Sequence, residues 1–262
     1  MKYINVCRAD LSRWFLRKRF FLAVAGVFIL NYLLMLQDLS GLEDTSVVYT
    51  VFIYLEDPFF IINYIFAAAV FGTAYCEERK RNYFSFFIKR CDRKSYIISK
   101  VMNCFFSSFC VVTVGMFLWE LSLRLFMPWA DRESDMFWVC VNEGLGNLLE
   151  EHRYFTYYLI YSMGLGMLSG IISVITFMIS LFIKDQMAVI SLPGIIYYIY
   201  NAYVGDFSDN VYFWSLEHIF YFPKSRMTTN VLTFTRATIY ALILCLIFGM
   251  ISYKRLERVC HE

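Results

Sequence analysis

The chain is poor in charge and in the residues that interrupt regular structure. Charged residues make up 18% of its 262 residues, whereas soluble domains average about 25%. Only 4 prolines and 12 glycines are present, and no Pro/Gly-rich stretch divides the chain. Hydrophobic residues reach 59% and aromatic residues 20%. This composition excludes disorder and leaves too little polar surface for a soluble globule. It predicts an all-α polytopic membrane protein.

Residues that could form a catalytic centre are also scarce. The three histidines lie outside the long apolar segments, and no C-x-x-C pair or phosphate-binding loop of the G-x-x-x-x-G-K-[ST] type occurs. Glu150-Glu151-His152 offers too few ligands for a metal. We therefore expect no catalytic residue, metal site or cofactor in this chain. The eight cysteines are expected to be inert thiols.

Six segments have the length and hydropathy of membrane-spanning helices. A plausible N-cap at Asp57 and Pro58 at the first helical position mark the start of the second. The apolar stretch Val47–Leu55 either extends a membrane hairpin or lies flat on the surface. The predicted spans are 20–36, 58–76, 101–123, 155–183, 187–204 and 237–253.

The basic residues are distributed asymmetrically between the segments that alternate along the chain. One set contains 18 of the 24 Lys and Arg residues, which places it in the cytoplasm by the positive-inside rule. Both termini are then cytoplasmic, in agreement with six spans. Residues 20–253 form a single transmembrane domain. The cytoplasmic segments are 1–19, 77–100, 184–186 and the tail 254–262, and the outer loops are 37–57, 124–154 and 205–236.

The segment 1–19 has the pattern of an amphipathic helix on the cytoplasmic surface of the bilayer. Its basic residues Arg8, Arg13 and Arg17 project away from the apolar positions. One helical face is predicted to carry Ile4, Cys7, Leu11, Trp14 and Phe15.

The cytoplasmic loop 77–100 combines charge with a block of aromatic residues. It has 8 basic and 3 acidic residues, and a merely solvated loop would not need the aromatic block. One interpretation is contact with anionic lipid headgroups. The other is a docking helix for a cytoplasmic partner, with aromatic anchors and a basic rim. The docking helix would use Glu77, Glu78, Phe84, Phe86, Phe87, Arg90, Arg93, Tyr96 and Lys100.

This layout resembles the type-2 ABC exporter permeases of peptide export and bacteriocin self-immunity systems. An amphipathic helix precedes six spans, and the loop between spans two and three has an acidic residue, an apolar pair, an Arg and a Lys. The resemblance gives these roles to Glu77 or Glu78, Phe86 and Phe87, Arg93 and Lys100. It implies that this loop is the coupling helix that docks into a separate ATPase subunit.

The same resemblance implies the partners and the function. ATP and Mg²⁺ would be bound by the ATPase subunit, with a second, smaller contact at Asp185 in the turn 184–186. A second permease subunit, identical or different, would complete a dimer in a bacterial cytoplasmic membrane. The expected activity is ATP-driven export of a peptide or an amphipathic, lipid-like substrate, with no nucleic acid involved. The alternatives are a membrane scaffold or sensor that is not an ABC subunit, and an ion-coupled carrier or channel.

A few residues within the spans could line a translocation path. Glu120 is costly in hydrocarbon and either pairs with Arg124 or faces such a path. Asn63 is either a path residue or an inter-helix hydrogen bonder. Tyr197 and Tyr200 either line the path or belong to an interfacial aromatic belt.

Three further features leave alternatives open. Gly166-x-x-x-Gly170 permits close helix approach, either inside the bundle or at a subunit interface or translocation surface. Residues 211–222 suit a re-entrant or interfacial helix stopped by Pro223. The acidic loop 124–154 either attracts cationic peptides or forms a solvated cap.

Overall fold

The computed structural model describes residues 2–15, 17–38, 46–81, 83, 92–142, 144–204, 215–225 and 230–259. Within these ranges the chain forms α-helices, two short 3₁₀ turns and no strand. The helices are Lys2–Phe15 (α1), Lys18–Asp38 (α2), Val47–Glu56 (α3), Ile61–Phe71 (α4), Ala74–Lys80 (α5), Arg93–Leu123 (α6), Asp135–Val141 (α7), Gly146–Glu150 (α8), Tyr154–Ser180 (α9), Gln186–Val204 (α10), Leu216–Phe220 (α11) and Asn230–Val259 (α12).

Four helices of the described chain, α2, α6, α9 and α12, are long and apolar enough to cross a membrane. A fifth candidate is the pair formed by α3 and the segment Pro58–Phe71, which meet at a bend of 82°. The prediction of an all-helical membrane protein is therefore confirmed. Six spans and cytoplasmic termini stay predictions. The helix α10 covers the fifth predicted span and contains Pro193, but it is not among these candidates.

The start of the second predicted span has the local structure that its sequence indicates. The side chain of Asp57 accepts a hydrogen bond from the Phe59 amide at 2.8 Å, and Pro58 opens a 3₁₀ turn that leads into α4. The stretch 47–55 is helical, with Ser46 as its N-cap. Its first amides donate to the carbonyl groups of Pro128 and Trp129. These contacts join α3 to the segment that follows α6.

Helix α9 forms the centre of the bundle. Of the apolar window of α9, 83% is buried, against 17% for α12. The helix α9 packs most extensively against α6 and also contacts α4, α10 and α12. Small residues allow this close packing: the Gly166 Cα faces the Phe109 carbonyl, and Gly170 lies against the ring of Phe105. Both glycines therefore pack against another helix of the same chain, which is the alternative of packing inside the bundle.

The segment before α12 differs from its prediction in one detail. Helix α11 ends at Phe220, and Pro223 lies inside a following 3₁₀ turn rather than stopping the helix. A proline is accepted at this position because the first amides of a helical turn have no internal partner. The side chains of Phe220 and Phe222 are fully buried. Residues 211–214 lie outside the described part of the chain.

The N-terminal helix is present, and it packs against α6 through Asp10 and Trp14, which are 1% and 4% exposed. Trp14 belongs to the predicted apolar face, and two other residues of that face, Leu11 and Phe15, are 46% and 48% exposed. The contact with α6 was not predicted, and Asp10 is buried in it because its carboxylate meets the Lys100 ammonium. The position of this helix on the bilayer surface stays a prediction.

We expect Gly166→Ala to destabilise the protein by about 1–3 kcal/mol, as overpacking in a dense core does. A Cβ at this position would come within 2.9 Å of the Phe109 backbone carbonyl, which cannot rotate away. The control is Gly249→Ala, because its Cβ would meet only a Val101 methyl at 3.7 Å. Melting temperatures in detergent compare the stability of the two variants. Equal melting temperatures for the two variants would contradict this packing.

Candidate functional site

Three parts of the chain that are distant in sequence meet at the two ends of the loop 77–100. Asp10 and Arg13 come from α1, Glu78 from α5, and Tyr96, Ser99 and Lys100 from the first turns of α6. The side chains of Asp10, Glu78 and Lys100 are between 0% and 2% exposed. We call these six residues the Lys100 cluster. It joins both ends of the loop to the N-terminal helix.

Lys100 lies at the centre of the cluster, between two carboxylates. Its Nζ is 2.9 Å from the Oδ1 atom of Asp10 and 2.6 Å from the Oε1 atom of Glu78. The ammonium group also lies over the rings of Phe71 and Tyr96, at 5.1 and 5.3 Å from their centroids. A buried ammonium is costly unless charges and hydrogen bonds surround it. Here two carboxylates and two aromatic faces do so.

The two carboxylates are fully hydrogen-bonded. The Tyr96 hydroxyl donates to Glu78 Oε2 at 2.7 Å, and the Ser99 hydroxyl donates to Asp10 Oδ2 at 2.9 Å. The Arg13 guanidinium donates to Asp10 Oδ1 at 3.2 Å and also to Glu78 Oε1. Two acids and two bases give a formal charge of zero. A neutral and satisfied network of this kind is stable when complete and costly when one member is removed.

Further hydrogen bonds extend the cluster along α1 and α6. The Trp14 indole donates to Asn103 Oδ1 at 2.9 Å, and Asn103 Nδ2 donates to the Ser99 carbonyl at 2.9 Å. At the other side, Arg19 forms an ion pair with Glu77. The beginning of α2, the end of α5 and the beginning of α6 are therefore connected through side chains of the N-terminal segment.

The surroundings of Glu78 and Arg13 favour their charged forms. Burial acts to raise the pKa of Glu78, but Lys100, Arg13 and the Tyr96 hydroxyl together hold it below its ordinary value of 4.5. Burial acts to lower the pKa of Arg13, and the Glu78 carboxylate raises it above its ordinary value. Both groups are ionised at neutral pH, so the ion pairs persist there.

The structure brings together some of the residues predicted for the docking loop. Glu78, Tyr96 and Lys100 belong to the cluster, and Glu77 lies beside it. Arg93 is the first residue of α6. Asp185 is exposed, and its carboxylate accepts a hydrogen bond from the Met187 amide at 3.1 Å. The remaining predicted residues lie outside the described part of the chain: Phe84, Phe86, Phe87 and Arg90.

The sequence reasoning missed the contribution of Asp10 and Arg13. One signal could have found Asp10, because it is the only acidic residue in the segment 1–19. It also precedes Trp14 by one helical turn, which places both on one face. An acid aligned with a buried aromatic residue on an otherwise basic helix indicates a cationic partner.

The predicted path residues contact three different elements. The Glu120 carboxylate is buried and accepts from the Ser162 hydroxyl of α9 at 2.8 Å. Asn63 donates to Asn31 Oδ1 on α2 at 3.1 Å. The Tyr197 ring packs edge-on against Tyr64 of α4. Tyr200 of α10 is half-buried.

The alternative pairing of Glu120 with Arg124 is wrong. The Arg124 guanidinium donates to the Met127 carbonyl at 3.1 Å and lies over the Trp129 ring. It is exposed, whereas Glu120 is fully buried. The Arg124 side chain therefore holds the turn that follows α6 rather than the Glu120 carboxylate.

Protein-family models, curated proteins and solved structures give no match to this chain.

We expect Lys100→Met to destabilise the protein by about 3–5 kcal/mol, because it leaves two buried carboxylates with only Arg13 as a cation. Lys94→Met is the control, since Lys94 is exposed on the same helix. Thermal unfolding in detergent compares the two. The triple variant Asp10→Asn, Glu78→Gln, Lys100→Met should recover part of the loss, because its buried groups are neutral. If Lys100→Met and Lys94→Met have the same melting temperature, the cluster does not stabilise the fold.

We also expect a specific loss of stability in acid. The folded-state pKa of Glu78 lies below 4.5, so its contribution is complete above pH 4.5 and is lost as the pH falls through the folded-state pKa. The variant Glu78→Gln should be less stable at pH 7 and show a shallower decrease in melting temperature below pH 5. Glu133→Gln, at an exposed position, should keep the wild-type slope. An identical dependence of melting temperature on pH in the wild type and both variants would contradict this role of Glu78.

Proposed function

We propose that this chain is the permease subunit of an ATP-driven ABC exporter in a bacterial cytoplasmic membrane. A separate ATPase subunit would bind the loop 77–100, with a second contact at the turn 184–186. The proposal includes six spans with both termini in the cytoplasm. ATP binding would bring the ATPase subunits together and bias the permease between two states.

The observation that carries this proposal is the attachment of both ends of the loop to one buried network. Glu78 lies at the beginning of the loop and Lys100 at its end, and their charged atoms are 2.6 Å apart. Separating them would break a buried ion pair and leave Glu78 with only Arg13, and Lys100 with only Asp10, as an oppositely charged partner, which is costly in a buried site. The two ends therefore move together. A force on the loop would therefore displace α5 and α6 together.

The N-terminal helix would carry the same movement to the first span. Asp10 and Arg13 belong to the network, and Arg19 at the beginning of α2 pairs with Glu77. The helix α6 in turn packs along α9, the most buried of the four candidate spans in the described chain. A displacement at the loop would thus reach the centre of the bundle through packed side chains.

The outer helix α12 supports a dimer. Only 17% of its apolar window is buried within the chain, so most of this helix faces lipid or a second subunit. Two permease subunits, identical or different, would be needed to enclose a path. Its exposed apolar residues include Val231, Leu232, Ile239, Leu242, Ile243, Leu246 and Met250.

The proposed substrate is a peptide or another amphipathic molecule. The segment between α6 and α9 presents exposed acidic residues that would attract a cationic substrate electrostatically. These residues are Asp131, Glu133, Asp135, Glu150 and Glu151.

The test is purification of the tagged full-length protein from its own membranes, followed by ATPase assays and identification of bound proteins. We expect an ABC ATPase subunit to be retained and to hydrolyse ATP. Phe86→Ala with Phe87→Ala should remove it, because the aromatic anchors are lost. The matched control is Leu125→Ala with Phe126→Ala, two exposed apolar residues after α6. Absence of an ATPase from the wild-type preparation, or its retention by the Phe86/Phe87 variant, would overturn the proposal.

One observation favours an ion-coupled carrier as the second candidate. The Oε1 atom of Glu120 is buried and has no hydrogen-bond partner among the described residues. Such a carboxyl group could bind a proton or a cation within the membrane. Transport by proteoliposomes that contain only this chain, driven by an ion gradient and without ATP, would favour this second function.

A further inference from the structure

A cavity of about 240 Å³ lies beside the Lys100 cluster, at the basic end of the molecule. Its walls come from the end of α1, the connection to α2, and the end of α5. Arg13, Arg17 and Arg81 line it together with Tyr83, Glu77 and Glu78. Its size admits a phosphodiester with a small polar headgroup.

The acids of this cavity are already neutralised by other groups. Glu78 pairs with Lys100 and Arg13, and Glu77 pairs with Arg19. By contrast, Arg17 and Arg81 are exposed, and neither has an acidic partner in the described part of the chain. The cavity therefore presents two uncompensated guanidinium groups. Such groups bind phosphate oxygens through paired N–H donors.

Exposed apolar side chains close to Arg17 in sequence indicate that the phosphate belongs to a lipid. Phe21 and Leu22 are 62% and 69% exposed and lie one turn after Arg17, at the beginning of the first candidate span. The Phe15 ring, also exposed, contacts the Phe20 ring that follows it. A free phosphate ion has no apolar part that could contact these side chains. A phospholipid would place its headgroup among the arginines and its acyl chains along these residues.

We propose that this cavity binds the headgroup of an anionic phospholipid, with Arg17 and Arg81 as its principal ligands. The tyrosine hydroxyl of Tyr83 can donate to the same headgroup. Bound lipid would connect the end of α1 to the end of α5 across the cavity, in parallel with the ion pair between Arg13 and Glu78. The site does not depend on the proposed ATPase partner, because all its described residues belong to this chain.

The test measures binding of dioleoyl phosphatidylglycerol to the delipidated full-length protein, by native mass spectrometry and by the shift in melting temperature. We expect one tightly retained lipid per chain. Arg17→Gln with Arg81→Gln should weaken binding roughly tenfold or more, because two charge contacts are lost. The control is Arg8→Gln with Arg79→Gln, which removes the same charge from exposed positions of α1 and α5 outside the cavity lining. It should bind as the wild type does.

Two comparisons distinguish a lipid from free phosphate, and an anionic headgroup from a zwitterionic one. Dioleoyl phosphatidylcholine, whose headgroup is zwitterionic, should give a much smaller shift in melting temperature. Millimolar inorganic phosphate should give none, and a full shift with phosphate alone would overturn the assignment to a lipid. Equal loss of binding in the control variant would show that only net charge matters, and it would also overturn the proposal.

A second measurement uses the wild-type protein and does not depend on any substitution. A phosphatidylglycerol analogue with a photoreactive group in its headgroup should label peptides that contain Arg17, Arg81 or Tyr83. Excess unlabelled phosphatidylglycerol should suppress the labelling. Labelling confined to other peptides would contradict the proposed site.

Discussion

Burial of one ammonium group between two carboxylates determines how the basic end of this molecule is built. Lys100 is inaccessible to water, and it is stable there only because Asp10 and Glu78 meet it from two other helices. The constraint fixes the position of the N-terminal helix, brings the two ends of a long loop together and leaves Arg13 shared between both acids. The proposed transmission of force and the proposed lipid site both depend on this arrangement.

The positions of the helices could be predicted from the sequence, and their ends could not. Each of the six apolar segments corresponds to a helix or a helix pair, because hydropathy reports a run of apolar residues long enough for a membrane-spanning helix, whether it is buried in the bundle or exposed. The helix α6 begins at Arg93, eight residues before the predicted span, and α12 begins at Asn230 rather than 237. Polar residues at these ends continue the helix beyond the apolar region, where hydropathy gives no signal.

The site was only partly predictable for a different reason. Glu78, Tyr96 and Lys100 could be predicted as site residues from the pattern of their loop and its resemblance to coupling helices. Their pairing with Asp10 joins residues that are 90 positions apart, and charge pairing over this distance leaves no local pattern. The contact of α1 with α6 was not predicted for the same reason, because hydrophobicity gives no signal for a buried Asp10.

The separation between Asp10 and Lys100 also constrains the order of events during synthesis. The N-terminal helix leaves the ribosome long before its buried partner exists, since Lys100 is made 90 residues later. Until then Asp10 has Arg13 as a partner on its own helix but lacks the Lys100 ammonium. Docking of α1 would be a late step, completed only when the third predicted span has begun to emerge.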